Sequence, residues 1–114
     1  MKVFAFRKDY LGQMELESTL EAEQKFVGGL IEVVAIAPGL DLVCNEEGKI
    51  NSMEPRAVLM DGNDLVDIIC GNCFVCRSNE EGEFVSIKDS DVKTIKERVK
   101  YIVAVHGNHV YIEE

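Results

Sequence analysis

Leu30-Ile31-Glu32-Val33-Val34-Ala35-Ile36, stopped by Pro38-Gly39, is the stretch whose reading decides the fold class. Ile31, Val33, Val34 and Ile36 are β-branched, stiff at χ1 and suited to a pleated surface rather than a helix. The Pro-Gly pair that follows is strong punctuation. The segment therefore reads as a mostly buried strand, and burial would leave Glu32 conspicuous.

Downstream, Leu40-Asp41-Leu42-Val43-Cys44 runs into Asn45-Glu46-Glu47-Gly48, a loop with glycine where a short hairpin wants a positive φ, and Lys49-Ile50 is expected as the returning strand. Pro55 to Met60 is ambiguous and is read as one helical turn, followed by a loop at Asp61-Gly62-Asn63-Asp64. Val66 to Arg77 is a long apolar stretch. Ser78 to Glu83 is a turn into Phe84-Val85-Ser86-Ile87. Asp89 or Ser90 is placed to cap a helix carrying Val92, Ile95 and Val99 at i, i+3 and i+7. Tyr101 to Val105 and His109 to Ile112 flank Gly107-Asn108, a hairpin signal.

Upstream, Met1 to Lys8 alternates suitably for a first strand. Ser18-Thr19-Leu20-Glu21 has the S-x-x-E form of a capping box, so a helix is expected from Ser18 through Phe26 and Val27 to a left-handed Gly28. The expected architecture is α+β: one domain over residues 1–114, with a mainly antiparallel sheet of about five to seven strands, two helices and a C-terminal β-hairpin. That hairpin could offer an edge for self-association.

Composition narrows function by exclusion. Twelve basic against 21 acidic residues give a formal charge of −9, which repels phosphate backbones, so no direct contact with nucleic acid is expected. The one basic group, Lys88, Lys93, Lys96, Arg98 and Lys100, is interleaved with Asp89, Asp91 and Glu97 and reads as a solvated helix face. The run from Val27 to Leu40 contains Glu32, three glycines and a proline, too broken for a membrane span. The first residues reach charge too early for a secretion signal. A cytoplasmic setting in a bacterial host cell is expected, with the cysteines reduced.

Candidate chemistry is sparse. Cys70-Gly71-Asn72-Cys73-Phe74-Val75-Cys76 holds two overlapping C-x-x-C spacings that could present thiolates to zinc, with His106, His109 or Cys44 completing the set. Against this, structural zinc sites pair two such motifs, and the flanking residues favour strand. In an extended segment Cys70 and Cys76 share a face, roughly 20 Å apart, while Cys73 points the other way. Core cysteines are the preferred reading, with Cys70 at least partly buried, no metal, no disulfide and no cofactor. Glu46-Glu47, Glu80-Glu81 and Glu83 sit in turns, as do Asp61 and Asp64, and exposed carboxylates make poor general acids. No catalytic residue is assigned, and the chain is read as a non-enzyme.

Phe26-Val27-Gly28-Gly29-Leu30-Ile31-Glu32-Val33-Val34, Val43-Cys44-Asn45-Glu46-Glu47-Gly48-Lys49 and Ile69-Cys70-Gly71-Asn72, in that order and spacing, resemble the domain-of-unknown-function family 3846 over roughly residues 15 to 90. The V-G-G-x-I-E and N-E-E-G-K blocks are the specific parts. One departure is Glu54-Pro55-Arg56, where the family tends to carry an asparagine–arginine pair. The resemblance implies a bacteriophage, plasmid or Firmicutes origin without assigning an activity. It also implies an apolar strand around Cys70 to Cys76.

Two expectations follow. The first is a non-enzymatic interaction protein of a mobile element whose carboxylates, with Asp61, Asp64, Glu80, Glu81 and Glu83 as partner-binding candidates, engage a host protein bearing a basic nucleic-acid-binding surface. In its sharpest form it inhibits a CRISPR or restriction defence system. The second is a nucleotide-like small-ligand site built from Gly28, Gly29, Glu32, Asn45, Glu46, Glu47 and Arg56, with a guanidinium fork on an anionic ligand.

Overall fold

The computed structural model describes residues 1–113. Among them ten strands and two helices follow in the order β1 (Lys2–Arg7), β2 (Tyr10–Glu15), α1 (Leu20–Val27), β3 (Ile31–Ala37), β4 (Leu40–Asn45), β5 (Pro55–Asp61), β6 (Asp64–Cys70), β7 (Cys73–Ser78), β8 (Phe84–Val85), α2 (Asp91–Arg98), β9 (Val99–His106) and β10 (His109–Ile112). One sheet runs β2-β1-β7-β4-β3, with β8 on the far end of β7, and the other runs β10-β9-β5-β6. Every pairing is antiparallel. The fold is thus α+β with a C-terminal hairpin, and it carries more strands than the sequence suggests.

The central strands of the first sheet, β1, β7 and β4, are buried on both faces, and their alternation shows how. On β7, Cys73 and Val75 join Phe4, Phe6, Leu42 and Cys44 in the core between the two sheets. Phe74 and Cys76 point the other way, into a second core with Val3, Val43 and Val27 of α1. Successive strand residues face opposite sides, so a near-continuous apolar run satisfies both cores. Helix α2 caps the first core with Ile95, which is fully buried, and Val92.

Helix α1 starts one residue later than the capping-box pattern suggests. Thr19 is the N-cap, its Oγ1 accepting the Ala22 amide at 3.1 Å. Ser18 and Thr19 are both competent caps, and Thr19 takes the role. Gly28 ends the helix in the left-handed region at φ 83°, as expected.

Four expectations change. The stretch that decides the fold class is a strand, but β3 is an edge strand and is mostly exposed, with only Ile36 fully in the core. Lys49-Ile50 is no returning strand, because both sides of β4 are already taken by β3 and β7. Pro55 to Met60 is not a helical turn but the interior strand β5, with the proline at its first residue, where a missing amide costs least. The Val66 to Arg77 stretch is two strands in different sheets, and the chain crosses between them at Gly71, φ 85°. The hairpin partner of β1, Tyr10–Glu15, has no counterpart in the sequence reading; its turn bends at Asp9, φ 64°. No helix of the described residues is long and apolar enough to cross a membrane.

Candidate functional site: an acidic cleft at the open edge of the two sheets

The V-G-G and N-E-E-G-K blocks meet in space. Asn45, at the end of β4, is buried, and its Nδ2 donates to the Val27 carbonyl at the end of α1 at 3.1 Å. Its Oδ1 accepts the Glu47 amide at 2.7 Å. One side chain therefore satisfies a helix-terminal carbonyl and starts the turn that follows. Gly29 leaves room for it: a Cβ there would stand 2.9 Å from Asn45 Nδ2. The amides of Gly28 and Gly29 both donate to the Gln24 carbonyl, so they close the helix and are not free to hold an anion.

The loop after Asn45 folds into tight turns, with the Met53 amide on the Gly48 carbonyl at 2.9 Å and the Asn51 amide on the Glu47 carbonyl at 2.8 Å. Gly48 packs directly against the Cys70 carbonyl, where a Cβ would overlap it. This close approach sets the loop across the ends of β4 and β6 and forms a cleft of about 320 Å³. Glu32, Glu46, Glu47 and Asp67 line it, with Lys49, Cys44 and Cys70. Ile50 stands at its rim, 80% exposed.

Four carboxylates thus face one ammonium, and that ammonium is engaged: Lys49 Nζ lies 2.6 Å from Asp67 Oδ1. The Lys49 hydrogen bond pulls the Asp67 carboxyl below its ordinary range, and the same bond raises the Lys49 ammonium. Burial, reinforced by the Glu32 and Asp67 carboxylates, pushes the Cys44 thiol up to about 11. Burial also raises Cys70, with Lys49 acting in the opposite direction. Both thiols are held protonated, the reverse of what a nucleophile or metal ligand needs. Carboxylates outnumber ammonium groups in the lining of the cleft by four to one.

The remaining candidates disperse. Arg56 lies in another cleft with Lys8, Glu54 and Tyr101, its NH2 3.7 Å from Glu54 and its buried Nε meeting no acceptor among the described residues. It joins neither Asn45 nor Gly28, so the guanidinium fork foreseen beside them is not assembled. Asp61 and Asp64 flank the β5–β6 turn, and Glu80, Glu81 and Glu83 lie around the turn between β7 and β8, whose shape comes from Asn79 accepting the Glu81 and Glu83 amides. Cys70 is partly buried at the end of β6. Cys73 and Cys76 are in opposite cores, and His106 is exposed at the end of β9 against Tyr111. No group of three or more His, Cys, Asp or Glu side chains among the described residues could hold a metal ion.

Asp67, Lys49 and Ile50 are the site residues that sequence reasoning missed. Asp67 reaches the cleft only because β6 crosses over the end of β4, a long-range relation with no local signal. Comparison with curated proteins and with solved structures finds no match. A family model described as "Domain of unknown function (DUF3846)" matches residues 1–100, which takes in β1 through α2 and the whole of the cleft. The chain therefore belongs to the DUF3846 family.

Proposed function

We propose that the protein works by binding another protein rather than by catalysis, and that the cleft over Glu32, Glu46, Glu47 and Asp67 takes lysine or arginine side chains from a basic partner surface. The observation that supports this reading is the charge of the cleft: four carboxylates, one of them bound to its only ammonium, beside the exposed apolar Ile50. Carboxylates set opposite a basic partner surface give the electrostatic complementarity that steers encounter and fixes register. The overall charge of −9 extends the attraction beyond the cleft. Basic surfaces of this kind belong to nucleic-acid-handling proteins, and a CRISPR effector or restriction enzyme in the cytoplasm of a mobile element's host is the partner class we favour. The raised thiols of Cys44 and Cys70 support the non-enzymatic half of the proposal, since neither is activated for attack.

The test is capture from host lysate on immobilised protein at low salt, beside the double variant Glu46→Lys and Glu47→Lys. A nucleic-acid-handling protein should bind the parent chain, leave as salt rises and fail to bind the variant, because screening shortens the reach of charge from about 30 Å at 0.01 M to about 8 Å at 0.15 M. Capture that ignores both salt and charge reversal, or capture of no such protein, overturns the reading.

A further inference from the structure

The sheet edge beside the cleft is open. Among the described residues β3 pairs with β4 alone. The Glu46 amide donates to the Leu30 carbonyl at 2.9 Å, directly across that ladder. In an antiparallel ladder hydrogen-bonded pairs alternate with unbonded ones. The bonded pairs are thus Glu32–Cys44 and Val34–Leu42, and Ile31, Val33 and Ala35 direct their N–H and C=O groups away from β4.

Three other edges are blunted in ways that β3 is not. On β6 the Asp67 carboxylate takes the Ile68 amide at 2.7 Å, with Lys49 on the same oxygen. On β2 the Tyr10 hydroxyl donates to the Gln13 carbonyl at 2.6 Å. Strand β10 has four residues and a register shift between Tyr111 and Ile112. The register shift of β3 falls between Ala35 and Ala37, past the open positions. Unpaired edges of this length are a template for an added strand.

The groove beside that edge says what the strand should carry. Glu32 and Val34 of β3 face the second sheet. Glu32 borders the acidic cleft, while Val34 lines a second cleft, of about 190 Å³, with Val66, Leu59 and Met60. One face of an added strand would meet carboxylates at one end and, at the other, a mainly aliphatic cleft whose lining also includes Asp61 and Arg98. A second copy of the chain fits poorly, since it brings a further −9 to an acidic edge.

We infer that β3 is the docking edge for an extended basic segment of the partner, which adds as a strand beside Ile31, Val33 and Ala35, sets lysine or arginine over Glu32 and Asp67, and lays apolar side chains over Val34 and Val66. This rests on the protein-binding reading above and specifies its mode: main-chain bonds supply affinity and alternate side chains supply selectivity.

The probes are two acetylated, amidated heptapeptides matched to the seven residues of β3, Lys-Thr-Lys-Thr-Val-Thr-Val and the reversed order, so that either strand direction is served. Backbone amide NMR should show one of them shifting Ile31, Val33 and Ala35. N-methylating the threonine amides removes the donors of one strand edge, and N-methylating the lysine and valine amides removes those of the other. One methylated copy should lose binding about tenfold or more while its sister keeps it, since attraction by charge alone treats the two alike. Val33→Pro, which deletes an outward amide at an edge position where proline is tolerated, should weaken binding to a similar degree; the methylated peptides read the same contact from the ligand side if that variant does not fold. The inference is overturned if neither peptide binds at about 1 mM, or if both methylated copies bind equally and only the Glu46 to Ile50 loop responds. In either case, lysate capture that still depends on Glu46 and Glu47 leaves the protein-binding reading standing, and capture that does not removes both.

Discussion

The carboxamide of Asn45 occupies the space that a side chain at position 29 would need, 2.9 Å from where a Cβ on Gly29 would stand. The two specific sequence blocks of the family are thereby two halves of one contact, helix end against strand end. Gly29→Ala should cost about 1–3 kcal/mol through crowding. Asn45→Ala should cost about 2–3 kcal/mol, because it strands the buried Val27 carbonyl and the Glu47 amide. The double variant should cost less than the sum, since the clash disappears with the carboxamide. Urea unfolding of the four proteins measures the coupling, and strict additivity would show that the two residues do not share this space.

Lys49 gives the cleft a handle that separates binding from stability. Its pair with Asp67 is exposed on both sides, 60% and 46%, so Lys49→Ala should change stability by less than about 1 kcal/mol. The same change leaves Glu32, Glu46, Glu47 and Asp67 uncompensated. A basic partner, or the lysine-bearing probe peptide, should then bind more tightly at low salt and with a steeper salt dependence. Weaker binding in Lys49→Ala would mean that the ammonium itself contacts the ligand.

How much of this was legible in the sequence follows from the range of the interactions. Gly28 as a helix end, the Gly107-Asn108 hairpin and the helix carrying Val92 and Ile95 are local signals and stand in the structure, but Val99, expected as the third apolar position of that helix, is extended and opens β9, where it pairs with Leu59. The burial of Leu30 to Ile36 is not legible locally, because β-branched composition is the same in a central and an edge strand; only the positions of β4 and β7 settle it. Pro55 to Met60 lacks strand punctuation on its amino-terminal side and gains its identity from pairing with β6 and β9. At the site, Asn45, Gly48 and the two glutamates could be named from sequence. Their partners Val27, Cys70 and Asp67 could not, since each is brought there by a separate crossing of the chain.

Arg77 and Asp91 form a two-pronged ion pair, with Nε and Nη2 each 2.6 Å from a carboxylate oxygen and the Lys88 amide on the same group at 2.7 Å. Asp91 opens α2, where Ser90 makes no side-chain cap bond, so this carboxylate also holds the helix start. Arg77 draws the Asp91 carboxyl below its ordinary range against the opposing effect of burial. The unfolded chain therefore binds this proton more readily than the folded one. The pair's stabilisation is complete above the unfolded aspartate value of about 3.9 and is lost as pH falls through the lower folded value. Asp91→Asn should cost about 2–3 kcal/mol at neutral pH, a fall of roughly 8–15 °C in Tm, and should flatten the acid limb of the stability profile. An unchanged acid limb would assign that proton uptake to other carboxyls.

The cysteines give the sharpest contrast between the zinc reading and the core reading. Cys73 is fully buried between the sheets and Cys76 is fully buried under α1, so one strand sends them to opposite faces. Burial drives the Cys73 thiol far up, and burial with the Asp41 and Glu23 carboxylates pushes Cys76 up to about 12. Cys44 is buried as well, and Cys70 alone of the four is partly open. A thiol reagent applied to native protein near pH 8 should therefore modify Cys70 first, with the other three reacting only at the rate of unfolding. Added zinc should neither protect Cys70 nor raise Tm, because no second thiolate stands ready beside it. Cys73→Ser should cost about 1–3 kcal/mol, the penalty of a hydroxyl without a partner in an apolar core, whereas Cys73→Ala should cost less. Reaction of Cys73 or Cys76 in step with Cys70, or a rise in Tm with zinc that any of these substitutions abolishes, would place the three sulfurs together and refute the two-faced strand.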